Sequence, residues 1–239
     1  MTDSQKIALL EKTIEQMENR IGMLEDAHAI RRLQHVYGYY LDKCLYNEVV
    51  DLIAEESEVH FLGGIYKNKA GARRLFCDRF RKHFTKGHNG PIYGFLLDHI
   101  QLQDVIDVSP DRKTAKARFR YLMQAGYHES ADHELSQWWE GGIYENEYVR
   151  EDGIWKFKKL SPHAEWHADY DKGWAHTEPQ YVPFSQATYP TDPIGPDVLE
   201  DPPPVLWPDT DVQPYHYLHP VTGKRISEPY FRAVAKTGK

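Results

Sequence analysis

The hydrophobic positions in the first part of the chain follow helical periodicities. Between residues 5 and 25 they recur at alternating spacings of three and four, with Glu and Lys in the gaps, and so form a short heptad seam: Ile7, Leu10, Ile14, Met17, Ile21 and Leu24. This seam has to be buried against the same subunit or a neighbour, and it favours an arm that helps an oligomer form. A second helix is predicted over about 27–43, and a short third one, capped by Asn47, over 46–55.

Further along the chain the period of the pattern changes from helix to strand. SEVHFLGGIYKN predicts two strands joined by a Gly-Gly turn, and KAGARRLFCDRFRKHF returns to helical spacing. From Leu96 onwards apolar and polar residues alternate, and an Asp-Gly turn joins WWEGGIYENEYVRE to IWKFKKLS as a hairpin. Helices and antiparallel strands without βαβ alternation predict an α+β fold. A strongly curved sheet closed by helices would leave a cone-shaped cavity.

The last part of the chain loses this periodicity. Most of the prolines lie within 179–229, but this region also carries aromatic residues suited to packing on a surface: Trp207, Tyr215, Tyr217 and Tyr230. We therefore predict a helical arm over 1–26, a cone domain over 27–162 and an extended Pro-rich tail over 163–239. The tail is expected to wrap on the body or on a neighbouring subunit and not to be free disorder.

Composition and charge narrow the class of protein. Hydrophobic residues make up 41% of the 239 residues, enough for a sizeable core, and no apolar run approaches the length of a membrane span. The polar N-terminal sequence argues against a secretory signal, and two cysteines, Cys44 and Cys77, favour a reducing cytoplasm over a disulfide framework. A net charge of −7 disfavours nucleic-acid binding, because that requires a basic face.

The aromatic content points towards a ligand. The chain holds 16 Tyr, 6 Trp and 13 His, and side chains with an apolar body and a polar tip suit a pocket for an aromatic molecule. A β-rich core packed with Tyr and Trp explains the same composition. The segment YGYYLDKCLYNEVVDLI is more specific, because it places three tyrosines and Asp42 within six residues of a helix that would ordinarily carry Leu, Ile and Ala.

This helix and the strands after it resemble the nuclear transport factor 2-like superfamily, in its SnoaL-like branch. The matching segments cover about residues 27–162 and are YGYYLDKCLYNEVVDLIAEESEVHFLGG, DHIQLQDVIDVSPDRKTAKARF and DGIWKFKKL. The resemblance implies a cone-shaped curved sheet closed by N-terminal helices. It implies no single activity, because the superfamily includes dehydratases, isomerases, cyclases, lyases and non-catalytic ligand binders.

The resemblance also implies a catalytic site. It brings Asp42 together with His99, which opens the third strand, in a largely apolar hole, where an acid–imidazole pair supplies a general base. Scytalone dehydratase-like members combine such a pair with tyrosines, and use neither metal nor organic cofactor. By resemblance the catalytic roles would then fall on Tyr37, Tyr40, Asp42 and His99. The alternative is that Asp42 is a solvated acid at a helix end and His99 a satisfied core histidine.

Candidate substrate contacts lie on the strands. Walls for an aromatic ring are predicted at five positions: Phe61, Tyr121, Trp138, Trp139 and Tyr144. Glu140 is a second candidate acid, and core packing explains the two tryptophans equally well. Arg118 and Arg120 share a strand face with Lys116, which is more often the outer or intersubunit face, but Arg120 is retained as a group that could balance a phenolate.

Metal and nucleotide chemistry are disfavoured. HAEWHAD offers an HxxxH pair, which binds a divalent ion when it lies on a helix, but Pro162 precedes it and the HExxH order is missing. The chain also lacks a GxGxxG loop, a Walker loop and a GxSxG motif. We therefore expect no metal and no cofactor.

The large, aromatic-rich chain with its long tail looks like the bacterial branch that includes lignin-dimer γ-formaldehyde lyases, which remove a hydroxymethyl group as formaldehyde and leave a stilbene. The expected function is a cofactor-independent lyase for a small aromatic substrate, working as a homodimer or homotrimer. One alternative is a dehydratase or isomerase of a polyketide- or steroid-like ring. Another is a non-catalytic subunit, similar to the small β-subunits of ring-hydroxylating oxygenases.

Overall fold

The computed structural model describes residues 1–134, 136–178 and 181–226, together with the backbone of 232–233. Its helical segments are α1 (Asp3–Asp42), α2 (Tyr46–Asp51), α3 (Asn68–Arg73), a π-helical segment (Arg74–Phe80), α4 (Arg81–Thr85), a 3-10 turn (Trp174–His176) and α5 (Phe184–Thr188). Its main strands are β1 (Ile53–Phe61), β2 (Gly64–Lys67), β3 (Phe95–Val108), β4 (Thr114–Tyr127), β5 (Ser136–Glu151), β6 (Ile154–Leu160), β7 (Pro162–Asp169) and β8 (Val198–Leu199). A separate short pair joins β9 (Thr210–Asp211) to β10 (Arg232–Ala233).

The main sheet is curved and mostly antiparallel. Its strand order is β3-β4-β5-β6-β1-β2-β8, with β7 pairing β5 beside β6, and the β1–β6 pair alone in this sheet is parallel. Register shifts interrupt the β3–β4, β5–β6 and β5–β7 pairings. Such bulges bend strands and increase their twist. The second half of α1 and the helices over 68–85 close the concave side. The predicted α+β fold with a curved sheet closed by helices is confirmed.

The core lies between α1 and the concave face of the sheet. The alternating residues of β4 that were predicted to be apolar are all buried: Ala115, Ala117, Phe119, Tyr121 and Met123. From α1, Ile30, Tyr37 and Leu41 reach into the same core, and Tyr37 packs edge-on against Phe157 with ring centroids 5.5 Å apart. This contact fixes the rotation of the helix, and with it the side chains that face the cone.

Two helix boundaries differ from the prediction. The arm and the second predicted helix are one continuous 40-residue helix, because no proline lies near residue 26 and Gly22 is accommodated within the helix. Residues 3–21 of it are exposed, and Gly22 is the first buried position. The short α2 ends at Asp51 and not near 55, because Ile53 already begins β1.

The region predicted as an extended tail begins with a strand. Pro162–Asp169 forms β7, which covers the half of β5 that β6 leaves unpaired. The described residues after it contact the same chain: Asp197 N–H donates to Ile65 O at 2.9 Å, and Glu200 N–H donates to Gly63 O at 2.9 Å. Tyr230, one of the aromatic residues of the predicted tail, lies outside the described residues. Among the described helices, none has the length and hydropathy needed to cross a bilayer.

Candidate active site

The cone encloses a cavity of about 980 Å³. Its walls come from α1, β1, the helices over 68–85, the central strands β3 to β5 and β7. The tail completes the wall with residues that are remote in sequence from the cone: Tyr181, Phe184, Glu200, Leu206 and Trp207. The lining is predominantly apolar with a few polar groups, which is the usual character of a small-molecule site.

An aspartate–histidine dyad lies at the C-terminal end of α1. One oxygen of Asp42, Oδ1, accepts the backbone N–H of His99 at 2.8 Å and lies 3.0 Å from Nδ1 of the same residue. The two side chains are only 9% and 11% exposed. A carboxylate at Nδ1 selects the tautomer with the proton on that nitrogen, which leaves Nε2 as a proton acceptor. Since His99 lines the cavity, the dyad presents a base there.

Packing between α1 and β3 positions this dyad. About two turns before Asp42, the Gln34 side chain donates to Gln101 at 2.8 Å. About three turns before it, Arg31 binds Asp104 through both Nε and Nη2 at 2.9 and 2.7 Å. These bonds align the helix with the strand that carries His99. A bidentate arginine–carboxylate pair adds orientation as well as energy.

A second polar group lies beside the dyad. The Tyr121 hydroxyl donates to Glu140 Oε1 at 2.8 Å, and His167 Nδ1 is 3.4 Å from the other carboxylate oxygen. The rings of His99 and Tyr121 are 6.4 Å apart between centroids. A base and a phenol therefore face one part of the cavity, which is the arrangement needed to remove one proton and supply another.

Buried tyrosines line the cavity around His99 and Glu140. Burial raises the pKa of Tyr37, Tyr121 and Tyr144 above the ordinary value of 10.0, and for Tyr121 the charge of Glu140 adds to the effect. The rings of Tyr121 and Tyr144 are 5.0 Å apart between centroids. At neutral pH these phenols are protonated, so they act as hydrogen-bond donors and proton sources.

Most of the predicted site residues meet in this cavity. Six of them line it: Tyr37, Phe61, His99, Tyr121, Trp138 and Tyr144. Asp42 lies behind His99 and contacts it directly. The alternative in which Asp42 is a solvated acid does not fit, since its side chain is 9% exposed.

The prediction is corrected at three positions. Trp139 stacks on Tyr170 with centroids 5.6 Å apart, and Arg120 donates to Glu165 at 3.0 Å; neither lines the cavity. Each is the strand neighbour of a lining residue, and successive side chains point to opposite faces of a sheet. Tyr40 packs partly buried against the core outside the cavity. The helical neighbour that shares the face of Tyr37 is Leu41, four residues on.

Sequence reasoning missed polar groups on the tail side of the wall. His60 is 7% exposed, and its Nδ1 contacts Glu200 Oε1. Burial lowers the pKa of His163 to about 4, so this imidazole is neutral, and its Nε2 lies 3.1 Å from Ser161 Oγ. No local signal points to Glu200, because it is 140 residues from His60 in a segment without periodicity.

The histidines of HAEWHAD lie on a strand. Along β7, residues four apart are separated by about 13 Å, whereas on a helix they would be adjacent. Within the described ranges no cluster of three or more His, Cys, Asp or Glu side chains is arranged to hold a metal ion.

Fold and site together define a cone with an acid–base dyad in a mostly apolar cavity. The sequence of residues 22–161 matches the family model of the SnoaL-like domain, and this chain belongs to that family. The predicted membership is thereby confirmed. The arm before residue 22 and the tail after residue 161 lie outside the match.

Comparison with solved structures supports the same fold. A scytalone dehydratase-like protein from Novosphingobium aromaticivorans DSM 12444 is 22% identical, over 64% of this chain and 91% of that chain, with a TM-score of 0.51. LinA is 19% identical over 68% and 99% of the two chains, with a TM-score of 0.52. The hexachlorocyclohexane dehydrochlorinase LinA-type3 from Novosphingobium barchaimii LL02 is 20% identical over 67% and 96%, with a TM-score of 0.50. No curated protein sequence matches this chain significantly.

Proposed function

We propose that this protein is a cofactor-independent lyase for an aromatic small molecule. The observation that carries the proposal is the Asp42–His99 dyad, held at 3.0 Å on the wall of a largely apolar cavity. The named activities of two fold neighbours, a dehydratase-like protein and a dehydrochlorinase, are eliminations, which is consistent with this class of reaction. An open cavity of about 980 Å³ argues against a non-catalytic subunit, whose cone would be filled by side chains.

In this proposal the two polar groups have opposite roles. His99 Nε2 accepts a proton from the substrate, and Asp42 stabilises the imidazolium that forms. The Tyr121 O–H, which donates to Glu140 in the free protein, turns to the departing oxygen when substrate is bound and supplies the proton. Tyr37 and Tyr144 donate hydrogen bonds to negative charge that develops on the substrate.

The cavity favours a substrate with two aromatic rings. Its volume lies at the upper end of the range of about 300–1,000 Å³ that is usual for ligand sites. The apolar part of its wall is rich in aromatic rings: Phe61, Phe76, Phe80, Phe84 and Trp138. Edge-to-face and offset contacts with such rings stabilise aromatic ligands beyond the area that they bury.

Within this class we propose a diarylpropane diol that carries a para-phenol. The substrate phenol loses its proton to solvent, and the phenolate expels the benzylic hydroxyl, which takes a proton from Tyr121 and leaves as water. A quinone methide forms. His99 then removes the proton of the γ-hydroxyl. The Cβ–Cγ bond breaks, formaldehyde leaves, and the electron pair of the bond restores the aromatic ring as a phenolate. The phenolate takes up a proton from solvent, and the proton held by His99 returns to Tyr121 through solvent, so the net products are one stilbene, one formaldehyde and one water.

The test is an incubation of the purified protein with this diol, without added metal or cofactor. Formaldehyde and stilbene absorbance should rise together in equal amounts. Replacing His99 by Gln should lower turnover by about 10²–10⁴-fold. Water loss without formaldehyde would contradict the deformylation step and assign the site to a dehydratase. Full activity in His99→Gln would contradict the role of the dyad.

A further inference from the structure

The N-terminal half of α1 carries an uncovered apolar stripe. Six side chains on it are between 53% and 73% exposed: Ile7, Leu10, Ile14, Met17, Ile21 and Leu24. At 1.5 Å per residue, the exposed part over residues 3–21 projects about 28 Å. Within the described ranges nothing buries this stripe, and a stripe of this length on a monomeric surface marks an interaction site.

The stripe turns away from its own body. Where the helix reaches the sheet, Gly22 and Asp26 are buried against the body, whereas Ile21 and Leu24 are exposed. Leu24 lies about 160° around the helix from both Gly22 and Asp26. A second helix can therefore pack along the stripe down to Leu24 without displacing any contact of the cone domain.

The residue types specify the kind of partner. If Ile7 is heptad position a, every a position of the stripe is isoleucine: Ile7, Ile14 and Ile21. The d positions are occupied by unbranched or γ-branched residues: Leu10, Met17 and Leu24. Isoleucine at a with leucine at d favours a two-stranded parallel coiled coil over trimers and tetramers.

The flanking charges specify the orientation. The e positions are all acidic, namely Glu11, Glu18 and Glu25, while the g positions include Lys6 and Arg20. In a parallel pair, each g position faces the e position of the next heptad, so Lys6 meets Glu11 of the partner subunit, and Arg20 meets Glu25 of the partner subunit. An antiparallel pair would instead place e against e and g against g, and so join like charges.

We propose that the arm forms a parallel, in-register, two-stranded coiled coil with the arm of a second copy of this chain. Three heptads would be marginal as an isolated peptide, because helix nucleation is costly. Here the helix continues into the packed body, and a reciprocal capping box of Thr2 and Gln5 closes its N-terminus. The conformational entropy of forming the helix is therefore lost when the subunit folds, before the partner binds.

Cysteine cross-linking tests both the pairing and its direction. Single variants Leu10→Cys and Leu24→Cys, at opposite ends of the stripe, should each form a dimer-linking disulfide under mild oxidation, at least about tenfold faster than Asn19→Cys on the outer side. The native Cys44 and Cys77 are 0% and 8% exposed, so they do not compete. In an antiparallel pair, residue 10 of one chain would lie far from residue 10 of the other, and the same holds for residue 24. Absence of a disulfide in Leu10→Cys or in Leu24→Cys would therefore overturn the proposal.

A matched pair of leucines tests the role of the stripe in solution. Leu9 and Leu10 are similarly exposed, at 54% and 61%, but Leu10 alone lies on the seam. The full-length protein should show the mass of two chains by light scattering. Leu10→Asp should lower this mass towards one chain, and Leu9→Asp should leave it unchanged. A one-chain mass for the unaltered protein, or equal effects of the two variants, would contradict the coiled coil.

Discussion

At Asp42 a single carboxylate oxygen connects the fold to the chemistry. It accepts the backbone N–H of His99 at 2.8 Å, which ties the end of α1 to β3, and it lies 3.0 Å from Nδ1, which sets the tautomer of the ring. Both partners belong to His99, so the bond that attaches the carboxylate to the backbone of β3 also holds it beside the imidazole ring. The geometry of the dyad is thus protected by the backbone itself.

Replacing Asp42 by Asn tests this arrangement. An amide of the same shape can still accept the backbone N–H, but it no longer stabilises an imidazolium, so kcat should fall by about 10²–10⁴-fold with little change in KM. The control is Asp98→Asn, next to His99 on the opposite face of β3, which should retain its activity. Steady-state kinetics on the diol measures both variants, and a strongly raised KM with unchanged kcat would contradict the role assigned to Asp42.

The phenol of Tyr121 gives a prediction about pH. Burial and the charge of Glu140 raise its pKa above 10.0, so the protonated form, which is the proton donor, persists to at least that pH. Tyr121→Phe should lower kcat by about 10²-fold or more. Ionisation of Tyr121 should therefore not lower kcat/KM of the unaltered protein below pH 10. Below that pH, the alkaline side of the pH profile should have the same shape in the unaltered protein and in Tyr121→Phe.

A control for this variant lies on the same strand. Tyr127 is also buried, does not itself line the cavity, and donates its hydroxyl to the backbone oxygen of Phe84 at 3.1 Å. Tyr127→Phe also removes a hydrogen bond of a buried tyrosine, but it takes no group out of the cavity lining. Equal loss of activity in the two phenylalanine variants would show that Tyr121 acts only through packing.

Among the elements, α1 is attached to the sheet by a buried carboxylate. Asp26 is 3% exposed and accepts hydrogen bonds from Arg112, from Arg150 Nη1 at 3.3 Å and from Trp155 Nε1 at 3.0 Å. Burial alone would raise its pKa, but the hydrogen bonds from Arg112 and Trp155 and the charges of both arginines outweigh it. The pKa of Asp26 therefore lies below its ordinary value of 3.8.

Replacing Asp26 by Asn should lower the free energy of unfolding by about 2–4 kcal/mol at neutral pH. This loss is smaller than that for breaking a fully buried ion pair, because both arginines are partly exposed. Because the folded pKa is lowered, the contribution of Asp26 is complete above pH 3.8 and is lost as the pH falls through the lower folded value. Urea unfolding as a function of pH measures it. Glu15→Gln, an exposed carboxylate on the outer side of the same helix, is the control, and an equal loss there would contradict the prediction.

The strands and helices show what local patterns can predict. Alternation placed the buried residues of β4, and the Asp-Gly turn joined β5 to β6, because both signals come from residues close in sequence. The strand β7 was not predicted, because it begins with Pro162 and a bulge opposite Gly141 and Gly142 breaks its alternation. Such a strand is specified by its partner β5 and not by its own sequence.

The same limit applies to the site. The positions of Asp42 and His99 followed from a resemblance that covers the cone, and they meet as expected. Trp139 and Arg120 lie on the opposite face of the sheet from Trp138 and Tyr121, because neighbouring side chains alternate along a strand. The contribution of Glu200 could not be predicted at all, since its contact with His60 depends on how an aperiodic tail folds back.

On the scale of the whole molecule, the tail joins the two faces of the sheet. Near β2 its residues complete the cavity wall, while Tyr215 and Tyr217 cover the convex face of β4. Arg118 holds this second segment. Its guanidinium lies 4.4 Å from the centroid of Tyr215, donates to Pro214 O at 2.8 Å and binds Glu145 on β5.

Removing this arginine should free the segment without unfolding the cone. Arg118→Ala loses a cation–π contact and charge-assisted hydrogen bonds, together about 1–3 kcal/mol, which raises local opening about tenfold to a hundredfold. Hydrogen exchange should accelerate by that factor at residues 213–217, while the core of β4 stays protected. Arg120→Ala is the matched control, because Arg120 lies on the same face two residues along and binds Glu165 instead. If both variants leave exchange at 213–217 unchanged, Arg118 does not hold the tail, and the contacts between the cone and residues 181–207 must carry its attachment alone.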